Sequence, residues 1–233
     1  MLKPSQLTQT RDRGLIKRFF FNFDSQGGDT NRLLRLAQDL GKKKFQCILH
    51  IGAYLGEEFK EYQKLGIEEV FWVEPQPLYA KKLRQSFRSG IVFEYAVNSF
   101  CGFVVFGVLN KDDSSSILSP VSRGEDLYTV NEVTRAKSIR LPCPLELLPG
   151  GKGLLLWFWM FKDPKRLFSA ANQSHLKNMD VIVVKFSSTP IYQNSLGCYH
   201  IQDVIPKLGF YSTRFFLKRR TFMVTSCLFE EIF

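Results

Sequence analysis

Residues 46–75 read QCILHIGAYLGEEFKEYQKLGIEEVFWVEP. An apolar run, Phe45 to Ile51, leads into a glycine turn at Gly52 to Gly56. Helix formers follow from Glu57 to Leu65, with Phe59, Tyr62 and Leu65 on one side. Gly66 stands where a left-handed helix stop is expected. A second apolar run, Val70 to Val73, ends at Glu74 and Pro75. Short runs that are apolar throughout are the pattern of strands buried on both faces of a parallel sheet. The stretch therefore predicts a strand, a turn, a helix and a parallel strand, with an acid at the end of the second strand.

The same alternation continues outward in both directions. Pro77 to Phe87 predicts a basic helix, Ile91 to Ala96 a third strand and Phe103 to Leu109 a fourth. Lys111 to Ser116, KDDSSS, is a polar loop, followed by weakly patterned sequence to about Lys137. Ser138 to Leu141 suggests a further strand, and PGGKG at 149–153 a loop. Leu154 to Met160 predicts a central strand, Pro164 to Leu176 a helix and Asp180 to Phe186 another buried strand. Tyr199 to Leu208 reads as a helix ended by Gly209. Phe210 to Leu217 and Phe222 to Phe229 read as a closing pair around KRR. On the N-terminal side, KRFFFNF at 17–23 suits a strand or docking segment, and a helix is predicted from Asp29 or Thr30 to Leu40. The expected fold class is α/β, a mostly parallel sheet with helices on both faces and an antiparallel closing strand. The expected division is an N-terminal extension with one helix at 1–44 and the main domain at 45–233.

Composition narrows the function classes. Of the 233 residues, 45% are hydrophobic and 23% charged, ordinary proportions for a globular chain. No apolar run reaches the roughly 18–20 residues of a membrane span. The first residues lack the apolar core of a secretory signal, so the expectation is a soluble, cytoplasmic protein. The five cysteines are scattered and contain no CxxC pair, and the three histidines make no ligand spacing with them. No metal is expected. Net charge is +10. Much of it lies in residues 1–50, and a second cluster is Arg214, Lys218, Arg219 and Arg220. That balance favours anionic partners, nucleic acid among them, although no zinc-finger, RRM or KH signature occurs.

In open parallel sheets, ligands bind beyond the carboxyl ends of the strands. Gly52 and Gly56 follow the first strand, and Glu74 ends the next one 18 residues after Gly56. The spacing is neither GxGxxG nor the P-loop pattern. A carboxylate at Glu74 can accept two hydrogen bonds from a ribose diol. Two readings stand together on the spacing: a nucleoside ligand such as S-adenosylmethionine, or a tight strand–helix connection with an exposed acid. His50 likewise reads either as a cofactor contact or as a packed strand-end histidine.

The segment HIGAYLGEEFKEYQKLGIEEVFWVEPQP resembles the opening of the FkbM-type methyltransferases, with their D-I-G-A-x-x-G, helix and strand ending in Glu-Pro. YAVNSFCGFVVFGVLNKDDSSSIL and MDVIVVKFSSTPIYQNSLGCYHIQDVIPKLGF resemble later blocks of that family in the same order. The resemblance implies a Rossmann-like methyltransferase fold using S-adenosylmethionine. It implies that Gly52, Ala53, Tyr54 and Gly56 line the methionine side, and that Glu74 holds the ribose hydroxyls. Ala96 and Val97 would lie near the adenine, and Ser114, Ser115 and Ser116 at the active-site mouth. The implied reaction is O-methylation of a small-molecule or glycan hydroxyl. Position 50 is His where most of the family has Asp. LLLWFWMFKDPKRLF at 154–168 lacks the family's Asp-x-x-Gly-x-Glu: Trp159 and Lys162 take two of its places, and Pro164 or Lys165 stands where the Glu is expected. Lys185 likewise replaces a common Glu. Asp163 is the remaining carboxylate nearby and the candidate catalytic residue. The alternatives are a catalytically impaired, cofactor-binding relative and a basic nucleic-acid-binding protein.

Overall fold

The computed structural model describes residues 19–24, 45, 47–67, 69–87, 90–111, 114–121, 128–141, 154–158, 169–176, 179, 181–186, 192–193, 211–212, 216–217 and 220–221. Its centre is the quoted stretch. Strand β2 (Cys47–Ile51) is buried along its whole length. It follows β1 (Phe19–Asp24) in the chain and leads through the turn to α1 (Phe59–Lys64). Strand β3 (Glu69–Val73) pairs with β2 in parallel, from Cys47↔Glu69 to Ile51↔Val73. Helix α2 (Pro77–Ser86) begins on proline, whose fixed φ suits a first helical turn. Strand β4 (Ile91–Phe93) then pairs with β3, also in parallel.

The chain returns to the other side of β2. Strand β8 (Leu154–Phe158) pairs with β2 from Cys47↔Leu154 to Ile51↔Phe158, and β9 (Val181–Phe186) pairs with β8. The large sheet has the order β10-β1-β9-β8-β2-β3-β4, with β10 at Tyr211–Ser212. Every described pairing in it is parallel. The strand order reverses between β2 and β8. In open parallel sheets, ligands bind beyond the carboxyl ends of the strands at such a reversal.

The expected antiparallel closing strand does not join this sheet among the described residues. The place beside β9 is taken by β1, paired in parallel from Phe19↔Val181 to Asp24↔Phe186. The segment around KRR forms a separate antiparallel pair, β11 (Phe216–Leu217) with β12 (Arg220–Thr221). The aromatic run FFFNF supplies the side chains that favour a pleated strand, and its place in the sheet puts part of the 1–44 stretch in the large sheet.

A second sheet holds β5 (Ala96–Val97), β7 (Val130–Ile139) and β6 (Gly102–Leu109) in the order β5-β7-β6. The single strand expected over Ile91 to Ala96 is thus two: Ile91–Phe93 extends the large sheet, while Ala96–Val97 pairs with Ser138 and Ile139 in the small one. Strand β6 belongs to the small sheet and pairs antiparallel with β7. Strand β7 falls largely in the sequence that carried no clear pattern. Only Ala136 and Ser138 of its ten residues are buried, so hydrophobic periodicity does not mark it. Its partner β6 specifies it instead. Helix α3 (Ala170–Leu176) is the described part of the helix predicted from Pro164. The predicted helices near 30–40 and 199–208 lie outside the described residues.

The core beside the turn is aromatic. Trp72, Tyr62, Phe71, Ile48, Leu49 and Ile67 are its largest fully buried side chains. The Trp72 ring stacks on Phe87 at 5.0 Å, and Phe59 lies 4.6 Å from Phe87. Side chains on α1 and after α2 are therefore locked onto one face of β2 and β3. This packing sets where the turn between β2 and α1 sits.

Candidate functional site

The turn leaves β2 in left-handed backbone conformations at Gly52 (φ 73°), Tyr54 (φ 49°) and Gly56 (φ 68°). Glycine adopts such angles without steric cost, whereas Tyr54 bears strain from its Cβ. The strain is held in place by hydrogen bonds. Gly52 N–H and Ala53 N–H both donate to the Val73 carbonyl, at 2.8 and 3.2 Å. Gly56 N–H donates to the Ala53 carbonyl at 2.7 Å. Tyr54 N–H donates to Glu74 Oε2 at 2.8 Å.

Glu74 joins three elements. Its backbone N–H donates to the Phe93 carbonyl of β4 at 2.9 Å. Its carboxylate accepts from Tyr54 in the turn and, through Oε1 at 2.9 Å, from Gln76 N–H at the start of α2. The residue is buried, with 3% of its surface exposed. Hydrogen bonds from N–H groups to a carboxylate are among the stronger ones in proteins. The exposed acid of the sequence reading is thus a buried acid fixed between the turn and the next helix. The Tyr54 ring lies 4.4 Å from that of Tyr79 on α2, a second tie across the same gap.

This arrangement limits the chemistry at the turn. A phosphate cradle needs backbone N–H groups aimed at the ligand. Here the N–H groups of Gly52, Ala53, Tyr54 and Gly56 are directed at protein oxygens. The carboxylate of Glu74 already takes the place an anion would have against the turn. Its oxygens suit hydroxyl donors, because carboxylate oxygens accept more than one hydrogen bond each.

His50, two residues before Gly52, has no exposed surface. It lies 5.3 Å from the Trp72 ring, and its Nδ1 is 3.0 Å from the Tyr62 hydroxyl. Its Nδ1 is thus engaged by Tyr62, while its Nε2 is buried with no hydrogen-bond partner among the described residues. Burial lowers its pKa to about 3, so the ring is neutral at physiological pH. Burial, with Glu58 as the lesser cause, raises the Tyr62 pKa and keeps its hydroxyl protonated. The Tyr62 hydroxyl donates to Nδ1 in the tautomer that carries its proton on Nε2.

That burial sets a pH dependence. In the unfolded chain His50 takes a proton near its ordinary pKa of 6.5, whereas the folded chain resists protonation down to about 3. The unfolded state therefore binds more protons between those values. The contribution is complete above pH 6.5 and is lost as pH falls toward 3, with a slope of about 1.4 kcal/mol per pH unit. Between pH 6.5 and 5, wild type should lose about 2 kcal/mol more than His50→Gln, read from urea unfolding at both pH values. Equal losses in the two proteins would show that this ring is not what titrates.

The adenine-side candidates Ala96 and Val97 are buried on β5. Two residues that the sequence did not single out hold them there. Asn98 N–H donates to the Ile139 carbonyl at 2.8 Å, and the Asn98 carbonyl accepts from Asn172 Nδ2 at 3.2 Å. Asn172 Oδ1 accepts from Leu141 N–H at 3.0 Å, so one buried amide on α3 ties together the ends of β5 and β7. The available signal was polar Asn in the apolar contexts YAVNS and SAANQ; a residue of that kind in a core must be hydrogen-bonded.

The serine run is braced on the small sheet. Ser114 and Ser116 are buried. Ser115 Oγ accepts from Leu109 N–H at 3.1 Å, and Ser116 Oγ from Leu118 N–H at 3.0 Å. The Tyr192 hydroxyl donates to the Ser114 carbonyl at 2.5 Å. Pro120 and Tyr192 form an isolated antiparallel bridge, which holds this loop against the later part of the chain. Tyr192 also escaped the sequence reading. Asp163, with Trp159, Lys162, Pro164 and Lys165, lies outside the described residues. Among the described residues no helix is long and apolar enough to cross a membrane. No family model, curated protein or solved structure matches the chain.

Proposed function

We propose that the chain binds S-adenosylmethionine through a Rossmann-like methyltransferase fold and transfers its methyl group to a small-molecule or glycan hydroxyl. The observation that carries this reading is Glu74, a buried carboxylate at the carboxyl end of β3, fixed by Tyr54 N–H and Gln76 N–H. It ends the strand that neighbours β2, on whose other side the strand order reverses. The residues fit the cofactor's chemistry: a fixed carboxylate offers acceptors to a ribose diol, and the inward-turned backbone donors suit a nucleoside that carries no phosphate.

In this reading Gly52, Ala53, Tyr54 and Gly56 bound the methionine side, and Glu74 orients the ribose. Ala96 and Val97 form an apolar wall for the adenine, and Ser114, Ser115 and Ser116 border the mouth. The bound cofactor supplies an electrophilic methyl group on a sulfonium. The protein's part is to place the acceptor oxygen in line with that methyl group, an entropic contribution that needs no metal ligand. Asp163 is the candidate base that takes the acceptor's proton.

Calorimetric titration with S-adenosylmethionine tests the first claim. Wild type should bind, and Glu74→Ala should weaken binding by about 1.5–3 kcal/mol, the scale of hydrogen bonds to a charged group. Absence of binding to wild type, with the folded state verified, sinks the reading. The replaced acids at 157–165 favour a second reading, a relative that binds cofactor without transferring methyl. Methyl transfer that is lost in Asp163→Ala supports the enzyme; cofactor binding with no transfer to any acceptor supports the binding-only relative.

A further inference from the structure

The sheet β5-β7-β6 has a buried face and a bare one. Val104, Phe106 and Ala136 pack with Ala96 on the first. On the second, Phe103 is 55% exposed, Val105 66% and Val133 65%. The register sets Val105 opposite Arg135, Phe103 opposite Lys137 and Gly107 opposite Val133. The Arg135 guanidinium carbon lies 5.0 Å from the centre of the Phe103 ring, so this cation leans from β7 over β6. The charged side chains at these register positions, Arg135 and Lys137, are both cationic.

Strand β6 is also the outer strand of its sheet. Gly107 exchanges N–H and C=O bonds with Ser116 at 2.8 and 2.9 Å, so its polar groups point away from β7. The register with β7 is unbroken from Gly102 to Val108. Alternation along an antiparallel pair then turns the N–H and C=O groups of Phe103 and Val105 to the same outer side. Among the described residues the pairing on that edge is the Gly107↔Ser116 bridge. An apolar edge strand with outward backbone groups is a template for a further strand.

We propose that the outer edge of β6 at Phe103 and Val105 docks an extended acidic segment of a partner protein, which adds to the small sheet as its fourth strand. Backbone pairing supplies the attachment, and apolar side chains of the segment cover Phe103 and Val105. Carboxylates of the segment meet Arg135, which overhangs β6 and stands about 5 Å, one strand spacing, from an added strand. Charge selects this occupant over a second copy. Two copies would set Arg135 near Arg135 and bring together two chains of net charge +10, and like charges across an interface are unfavourable. Hydrocarbon would leave the outward amides unpaired. The one aromatic ring at these positions, Phe103, already carries Arg135 against it, which leaves the valines as the rest of the surface and bases little to stack on.

The probe is a displayed library of short random peptides selected on the full chain. The expected pool alternates Asp or Glu with Val or Ile, and its binding falls at least about tenfold on Val105→Pro, because proline removes the outward N–H and is tolerated on an edge. Arg135→Glu leaves the backbone intact and should turn the selected pool from acidic to basic. A pool that binds Val105→Pro as well as wild type overturns the proposal, as does a pool with no acidic bias or no enrichment at all. A dimer abolished by Val105→Pro would assign the edge to a second copy, and Val105-dependent binding of phosphatidylserine vesicles would assign it to a lipid surface; either result also overturns it.

Discussion

Replacing Gly56 by alanine should destabilise the folded chain by about 2–5 kcal/mol, whereas the same change at Gly66 should cost about 1–2 kcal/mol. Both glycines have left-handed backbone, with φ of +68° and +73°. That shared conformation accounts for the smaller cost. The difference is space. A Cβ on Gly66 meets nothing within 4 Å, while one on Gly56 comes 2.6 Å from Phe87 Cε2 and 3.0 Å from Leu83 Cδ2. Phe87 has little room to retreat, because its ring is stacked on Trp72 and lies against Phe59. The alanine must therefore push the turn or break the aromatic cluster. Either movement disturbs the bond from Tyr54 N–H to Glu74. Urea midpoints of the two variants, measured side by side, check this; equal losses would mean that the backbone angle alone matters at both positions.

Glu74→Ala should cost about 2–4 kcal/mol of stability before any ligand is considered, because it removes the acceptor of two charge-assisted bonds. Tyr54 N–H and Gln76 N–H lose their partner in a part-buried site. Glu74→Gln should cost about half as much, since its amide oxygen still accepts while its NH2 group faces a donor. Amide exchange resolves the effect by residue: the Tyr54 and Gln76 amides should exchange faster in Glu74→Ala, with the β2 amides changing less. Unchanged protection at both positions would show that Glu74 does not hold the turn. The comparison also separates roles. Weaker S-adenosylmethionine binding in Glu74→Gln, with the turn still protected, reports on the ribose contact and not on the scaffold.

These two variants probe a region that was largely legible before any tertiary contact was known. The strand expected over Phe45 to Ile51, the glycine turn, α1, VFWV and Glu74 appear in the structure in that order, the strand starting two residues later at Cys47. The physical reason is locality. Parallel central strands are apolar throughout, and a left-handed turn calls for glycine, so burial and backbone angle are both written in the residues themselves. The central place of LLLWF beside β2 follows the same logic. The signal fails where burial is partial or partners are distant. Strand β7 exposes most of its length and carries no period, and the break between Phe93 and Ala96 reflects which sheet each end can pair with.

The sequence by itself determined a run of buried strands and one sharp glycine turn, with an acid at its carboxyl side, since side-chain hydrophobicity and glycine's freedom act within a few residues. Tertiary structure alone decided that β1 lies parallel beside β9 and that the strand order reverses at β2. It also decided that the Glu74 carboxylate accepts from Tyr54 and Gln76, and that His50 lies against Tyr62 and Trp72. Those outcomes depend on hydrogen bonds and ring contacts between residues brought close by packing. The energy of each such bond depends on what surrounds it, which no spacing along the chain records.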